Sequence, residues 1–160
     1  MNDVQSDTAE LVYTRVFEAP RALVFRCMIE PEHLSHFWGP VGTSAPLQSI
    51  TVDPRPGGVF ETVMVNDADG GEYPTRAVFV EVVEPERLVW NELRSGVTTT
   101  STFRDLGDSR TEVRIHQANV PEAFRSPQAQ AGFTSSLDRF SAYLESLTGG
   151  HEAGARAAES

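Results

Sequence analysis

Two histidines three residues apart form the pattern in this chain that most suggests a metal site. His33 and His36 share one face of a predicted short helix, and Glu32 is adjacent. A stable zinc site needs a third or fourth ligand in a fixed place, and the sequence has neither an HExxH motif nor a carboxylate cluster. We therefore interpret them as solvated histidines on a surface helix, and we predict no metal and no organic cofactor.

Cys27 is the only cysteine, so the chain cannot contain an internal disulfide. Nucleophilic catalysis by this thiol would require a histidine partner, and none can be identified from the sequence. No GxSxG motif offers a serine instead. Phe25 and Met28, its neighbours on a predicted helix, indicate a buried and inert thiol, and we predict no catalytic residue.

Two glutamates could bring acid-base chemistry into the protein interior. Glu92 shares a strand face with Trp90, and Glu81 shares one with Phe79, so an inward-facing aromatic would bring a carboxylate with it. A carboxyl group in an apolar cavity has a raised pKa and can act as a general acid or base. The alternative, which we favour, is a strand-end carboxylate that reaches solvent or pairs with an arginine.

Arg55 lies in the turn Pro54-Arg55-Pro56-Gly57-Gly58. Its guanidinium could fix this turn by bonding Asp53 or nearby carbonyl groups, and we favour this structural role. The alternative is that its planar fork holds an anionic group of a ligand.

The secondary structure that positions these residues is read from hydrophobic periodicity and turn residues. It predicts one strand, two short helices, six further strands and one long helix. The first helix covers residues 21–29, and the second opens at Pro31 and ends at Gly39-Pro40. The predicted strands are residues 11–18, 47–52, 59–65, 75–83, 87–93, 97–103 and 110–118. Their short connections indicate an antiparallel meander.

An apolar stripe marks the long helix, with residues at steps of four and three. The stripe consists of Phe133, Leu137, Phe140, Leu144 and Leu147, and Gly149-Gly150 is predicted to cap the helix. A curved antiparallel sheet with this helix across its concave face would satisfy the burial needs of both. This is an α+β fold, and the gap between its sheet and helix predicts an apolar cavity.

Length and composition limit the remaining possibilities. The chain has 160 residues, and we predict one domain at 10–148, a flexible N-terminus at 1–9 and a disordered tail at 149–160. A net charge of −10 without any lysine argues against nucleic-acid binding. No segment is long and apolar enough to predict a membrane span, and the acidic N-terminus has no secretory signal. We expect a cytoplasmic protein.

Five short motifs occur in a familiar order along residues 10–148. They are Arg15-Val16-Phe17 with Ala19-Pro20, Trp38-Gly39-Pro40, Asp53-Pro54-Arg55-Pro56-Gly57-Gly58, Glu84-Pro85-Glu86-Arg87-Leu88-Val89, and Gly132-Phe133 with Leu137-Asp138-Arg139-Phe140. In this order they resemble the START-related helix-grip superfamily (SRPBCC). Within it, the chain is similar to proteins like the C-terminal domain of the heat-shock-protein-90 ATPase activator. Two positions depart from that family, which often has Trp-Trp or Trp-Phe where this chain has Phe37-Trp38, and usually Gly-Trp where it has Gly132-Phe133.

The resemblance implies a scaffold for hydrophobic ligands, on which carriers, cyclases and hydrolase-like proteins are built. Fold alone does not choose among them. The aromatic residues exceed what a compact core requires, and we predict that they line a cavity. The predicted cavity residues are Trp38, Phe60, Phe79, Trp90, Glu92, Phe103, Ile115, Phe133 and Leu137.

Smaller contributions to this cavity are expected from other residues. Glu92 and a few threonines, Thr98 and Thr100 among them, are predicted to orient polar groups of the ligand. Trp38 is expected to face the cavity, whereas Phe37, about 100° away around the helix, should pack toward the first helix or the surface.

The first functional hypothesis is therefore a protein that binds a small hydrophobic or aromatic molecule. A second is a chaperone-associated module of the heat-shock-protein-90 activator kind, acting in the stress response, although the eukaryotic activator resembles this chain in one domain only. A third is a cyclase or hydrolase-type enzyme that uses a cavity carboxylate. Exposed sheet edges would also permit a homodimer.

Overall fold

One antiparallel sheet of eight strands forms the framework of the protein. A computed structural model describes residues 8–148. The strands are β1 (Thr8–Phe17), β2 (Thr43–Ser44), β3 (Thr51–Val52), β4 (Val59–Asn66), β5 (Glu72–Val83), β6 (Arg87–Glu92), β7 (Thr98–Gly107) and β8 (Arg110–Pro121). Their order is β1-β8-β7-β6-β5-β4-β2, and β3 also pairs with β4. The sheet is curved around a long C-terminal helix, so the predicted α+β helix-grip fold is confirmed.

Two short helices follow β1, as expected. Helix α1 (Arg21–Cys27) begins after Pro20, which favours a helical start because its φ is already fixed. Helix α2 (Pro31–Leu34) has only one turn, which is shorter than the predicted helix. The chain continues in turns to Trp38, whose N–H donates to the Leu34 carbonyl at 2.9 Å.

The long helix, α3, spans Pro127–Leu147. Ser126 caps its N-terminus by accepting a hydrogen bond from the Ala129 N–H at 3.0 Å. Leu137, Phe140 and Leu144 of the predicted stripe are buried, whereas Leu147 is exposed. The predicted glycine cap lies outside the described residues.

The segment 47–52, predicted as one strand, is not a continuous strand. Leu47–Ser49 forms a 3-10 turn, and only Thr51–Val52 pairs with β4. The Ser49 hydroxyl donates to the Pro46 carbonyl at 2.7 Å. Such local side-chain bonding competes with strand pairing, which accounts for the difference.

The first strand extends further toward the N-terminus than the sequence indicates. Thr8 and Ala9 pair with Pro121 and Val120 of β8, so these two residues of the expected flexible segment belong to the sheet. The rest of that segment, and the tail expected to be disordered, lie outside the described residues.

The hydrophobic core lies between the concave face of the sheet and the three helices. Phe17, Phe25, Phe79, Leu88 and Leu144 are among its fully buried side chains. No helix within residues 8–148 has the length and apolar character that a membrane crossing requires.

Candidate functional site

A cavity of about 710 Å³ lies between the concave face of the sheet and α3. Strands β1 and β4–β8 supply one wall, α3 supplies the opposite wall, and the segment after α2 supplies a third. Apolar and aromatic side chains form most of its surface. The protein therefore leaves unfilled space where a compact core would be closely packed.

Seven of the nine predicted residues line this cavity. They are Trp38, Phe60, Trp90, Glu92, Ile115, Phe133 and Leu137. Phe79 and Phe103 do not line it, because both are buried behind its wall. Phe79 stacks on Phe60 with ring centroids 5.7 Å apart, and Phe103 meets the ring of Phe25 edge-on at 5.2 Å. Both residues therefore belong to the core, and their prediction as wall residues is corrected.

The aromatic rings of the wall contact one another from three parts of the fold. Phe60 of β4 lies 5.1 Å from Trp38 and 5.2 Å from Trp90, the latter in an edge-to-face arrangement. Across the cavity, Tyr13 of β1 and Phe133 of α3 have centroids 4.3 Å apart. These contacts hold the rings in fixed orientations, so a ligand meets a preformed apolar surface.

Of the neighbouring residues Phe37 and Trp38, only Phe37 differs from the expectation. Trp38 is half-buried and lines the cavity, as predicted from its position. Phe37 is 3% exposed and also reaches the cavity wall, and its ring stacks on Phe140 of α3. The expectation that Phe37 packs toward the first helix or the surface is wrong, because the turns after α2 direct its ring at the last helix.

The polar residues of β7 that face the cavity are Thr99 and Ser101. Thr98 and Thr100, predicted for this role, lie on the opposite face of the strand, and neither lines the cavity. Strand alternation explains the difference, since Phe103 faces inward and residues two and four positions earlier must do the same. Gln117 of β8, directly opposite Thr99 in the sheet, also lines the cavity.

The exposed residues of the wall mark the mouth of the cavity. Pro74 lies near the start of β5, Arg94 follows β6, and Phe124 and Gln128 stand at the junction of β8 with α3. All four lie at the same end of the sheet. Val97, just before β7, and Ser101 within it both line the cavity. At a strand rise of about 3.4 Å per residue they lie roughly 14 Å apart, so the cavity is deep.

Glu92 stands at this mouth rather than deep in the cavity. Its carboxylate accepts a hydrogen bond from the Ser95 N–H at 2.8 Å and so holds the turn between β6 and β7. Arg94 forms no ion pair within the described part of the chain. Glu92 and Arg94 also line a neighbouring cleft of about 500 Å³, which shares Pro74 and Thr75 with the cavity.

Glu81 lies on the outer face of the sheet, although Phe79 on the same strand is buried. The pairing of β5 with β6 shifts register between Phe79 and Glu81, and this bulge reverses the alternation beyond it. Arg87 Nε donates to the Glu81 carboxylate at 2.7 Å. Glu81 is therefore a carboxylate paired with an arginine, which is the interpretation that we favoured from the sequence.

Arg55 has the structural contact that we favoured from the sequence. Its Nε lies 2.9 and 3.0 Å from the two carboxylate oxygens of Asp53, and the pair braces the turn before β4. Arg55 does not line the cavity.

The histidines at 33 and 36 are not simply solvated. His33 Nδ1 lies 2.6 Å from the Tyr143 hydroxyl, and the ring of His36 stacks on Tyr143 at 4.8 Å. His33 Nε2 is 3.5 Å from a carboxylate oxygen of Glu30. These contacts fasten α2 to α3, so the interpretation as solvated histidines is corrected for His33, whereas His36 is exposed.

Three buried or half-buried groups have raised pKa values. Burial raises the pKa of the Cys27 thiol to about 12, and the Glu30 carboxylate adds to this effect while Arg26 opposes it. Burial also raises the pKa of Tyr143, with smaller contributions from Cys27 and Glu30, and it raises that of Tyr13 in the cavity wall. The phenols therefore stay protonated at neutral pH and can donate hydrogen bonds.

Arg139 of α3 organises part of the cavity wall and was not identified from the sequence. Its Nη1 lies 2.9 Å from the Gly39 carbonyl oxygen and 3.2 Å from those of Pro40 and Thr43. Gly39 requires a positive φ of 97°, and a side chain there would approach Met64 to 2.8 Å. No spacing in the sequence indicates this role, because Arg139 lies about 100° around the helix from Phe140 and off the apolar stripe.

Solved structures from several bacteria share this fold at low sequence identity. A Chromobacterium violaceum protein superposes with a TM-score of 0.78 at 24% identity, over 86% of this chain and 98% of that one. A Mycobacterium smegmatis protein gives 0.76 at 22% identity, over 88% and 94%. An AHSA1-like protein from Aeromonas hydrophila gives 0.76 at 19% identity, over 87% and 94%. These likenesses show the fold alone.

The sequence comparisons identify the family. Among curated proteins, no relative matches the chain. The family model described as activator of Hsp90 ATPase homolog 1-like protein matches residues 18–145, which confirms the resemblance found in the sequence, and the chain belongs to this family.

Proposed function

We propose that this protein binds a small apolar or aromatic molecule in the cavity between its sheet and α3. The observation that carries this proposal is the cavity itself, about 710 Å³ and lined mainly by aromatic and aliphatic side chains. Sites for small organic molecules commonly have volumes of about 300–1,000 Å³ and walls of this composition.

The arrangement of the wall favours a planar ligand. Phe60 and Trp90 present ring faces and edges from the sheet, Trp38 does so from the segment after α2, and Phe133 does so from the helix. Aromatic rings gain from offset and edge-to-face contacts in addition to the burial of their surface. Because these rings already contact one another, little side-chain entropy is lost when a ligand binds.

Ligand binding is tested by thermal unfolding with a series of aromatic compounds. A ligand that binds only the native state raises the apparent melting temperature in a concentration-dependent way. Naphthalene derivatives are suitable probes, and isothermal titration calorimetry gives their Kd.

Two alanines on α3 provide a matched pair for this experiment. Ala129 lines the cavity, whereas Ala131 is exposed and does not. Ala129→Phe should fill the mouth and abolish the stabilisation, and Ala131→Phe should leave it intact. Equal stabilisation of the two variants would show that the compounds bind elsewhere, and no stabilisation of the unmodified protein by any probe would count against the proposal.

A second candidate function is a module that acts on a heat-shock-protein-90 chaperone. The description of its family as Hsp90 ATPase activator-like supports this candidate. The test is the ATPase rate of the chaperone at increasing concentrations of this protein. An unchanged ATPase rate, with no complex in analytical ultracentrifugation, would contradict this candidate function. The expected cytoplasmic location and homodimer remain predictions from the sequence.

A further inference from the structure

We propose that Thr99, Ser101 and Gln117 form a polar stripe that recognises oxygen atoms of the ligand. This inference rests on the proposed function, because it assigns the chemical class of the molecule in the same cavity. The ligand would then be an oxygenated aromatic compound, bearing hydroxyl or carbonyl groups along one side, rather than a pure hydrocarbon or an acyl chain.

Ser101 carries the first part of this argument. Its side chain is 1% exposed and faces the cavity, and its hydroxyl has no hydrogen-bond partner among residues 8–148. A buried hydroxyl without a partner is costly, and such groups are uncommon in folded proteins. Alanine would fit the same space without this cost. The hydroxyl is therefore best explained by a partner that arrives with the ligand.

Thr99 and Gln117 extend the stripe toward the mouth. They are direct neighbours across β7 and β8, where opposite side chains begin about 5 Å apart. Within the described part of the chain, neither side chain is hydrogen-bonded to another residue. Ser101 lies two residues further along β7, which places it about 7 Å deeper on the same face.

Apolar side chains of the neighbouring strands flank the stripe, one of them aromatic and one aliphatic. Trp90 is the direct neighbour of Thr99 on β6, and Ile115 is the neighbour of Ser101 on β8. A flat molecule packed on Trp90 would therefore place its edge along the three polar side chains. The stripe consists of hydroxyl and amide groups without charge, so it fits neutral oxygen atoms, whereas a carboxylate would lose its hydration without a compensating cation.

The test compares 2-naphthol with 2-methylnaphthalene, which differ by a hydroxyl in place of a methyl group. Calorimetry measures the Kd of both compounds for the unmodified protein and for Thr99→Val and Ser101→Ala. Thr100→Val is the matched control, because it makes the same change one residue away on the outer face of β7. The comparison of the two compounds in the unmodified protein needs no variant, so it remains valid if a variant fails to fold.

We expect 2-naphthol to bind at least as tightly as 2-methylnaphthalene to the unmodified protein. The single hydroxyl of 2-naphthol can bond Thr99 or Ser101 but not both, since these side chains lie about 7 Å apart. At least one of Thr99→Val and Ser101→Ala should therefore weaken the binding of 2-naphthol by about threefold to tenfold, which is the worth of one neutral hydrogen bond. Both variants should leave the Kd of 2-methylnaphthalene unchanged, and Thr100→Val should leave the Kd of both compounds unchanged.

Other outcomes separate the two proposals. If 2-methylnaphthalene binds more tightly and no variant alters the ratio of the two Kd values, the stripe is not a recognition element, although the cavity still binds apolar molecules. If neither compound binds the unmodified protein, the proposed function fails and this inference fails with it.

Discussion

The rings of Phe37 and Phe140 are stacked, with centroids 4.1 Å apart and an angle of 12° between their planes. This contact joins the turn after α2 to the middle of α3. Phe140 also lies 4.8 Å from Phe17 at the end of β1. The three rings close the deep end of the cavity, so the same contacts that stabilise the fold also define the bottom of the site.

Phe37→Ala should destabilise the protein strongly. Truncation of a buried phenylalanine leaves a void and loses transfer free energy, and it costs about 3–5 kcal/mol in typical cores. Urea unfolding followed by circular dichroism measures the free energy of unfolding. Phe124→Ala is the control, because that ring is 49% exposed at the mouth and its loss should cost about 1 kcal/mol or less. Similar costs for the two variants would contradict this assignment.

Much of the fold could be predicted because periodicity is a local signal. The stripe of α3 and the meander from β4 to β8 follow from the spacing of apolar residues and from turn residues at each break. The inward positions of β7 could also have been predicted, since counting back from Phe103 in steps of two gives Ser101 and Thr99 and excludes Thr98 and Thr100. Thr98 and Thr100 were proposed without this count.

Other features depend on contacts distant in sequence and could not be predicted. The bulge in β5 that places Glu81 outside depends on its pairing with β6. The ring of Phe37 turns toward Phe140 because the turns after α2 pack on α3, and no spacing in the sequence indicates that. Whether an aromatic residue lines the cavity or lies behind its wall, as Phe79 does, depends on the shape of the whole sheet.

Arg139→Gln should destabilise the segment that connects α2 to β2. Arg139 Nη1 donates to carbonyl groups of this segment, and hydrogen bonds from charged donors contribute about 1.5–3 kcal/mol each. Amide hydrogen exchange should become faster in residues 39–45, in addition to a loss in the free energy of unfolding. Arg104→Gln is the control, because Arg104 is 73% exposed and 3.7 Å from Glu112, and such pairs contribute about 0–1 kcal/mol. Unchanged exchange in this segment would argue against the bracing role.

Stability should fall at alkaline pH because of Cys27. Burial raises the pKa of this thiol from 9.0 to about 12. Between these values the unfolded chain loses the proton and the folded protein keeps it, so the contribution is fully present below pH 9 and is lost as pH rises toward 12. One such group gives a slope of up to about 1.4 kcal/mol per pH unit.

Cys27→Val tests this assignment, because it removes the thiol and keeps a similar apolar volume. Urea unfolding of both proteins at pH 8, 9, 10 and 10.5 should show a steeper loss for the unmodified protein. The variant should still lose some stability, since burial also raises the pKa of Tyr143. Parallel curves for the two proteins would show that Cys27 does not keep its proton in the folded state.

Ser101→Ala should leave the ligand-free protein as stable as before or make it more stable. The Ser101 hydroxyl is buried without a partner among the described residues, and such a group costs about 1–3 kcal/mol relative to a satisfied one. Thr111→Val is the informative comparison, because the buried Thr111 hydroxyl donates to the Ala19 carbonyl at 2.7 Å, and its removal leaves that carbonyl unpaired.

We therefore expect Thr111→Val to lower the free energy of unfolding and Ser101→Ala not to lower it, measured in urea without ligand. A gain for Ser101→Ala together with weaker binding of 2-naphthol would show that the serine lowers stability while it contributes to recognition, as expected for residues at functional sites. A loss comparable to that of Thr111→Val would mean that the Ser101 hydroxyl is satisfied within the protein. The polar stripe would then lose its deepest member.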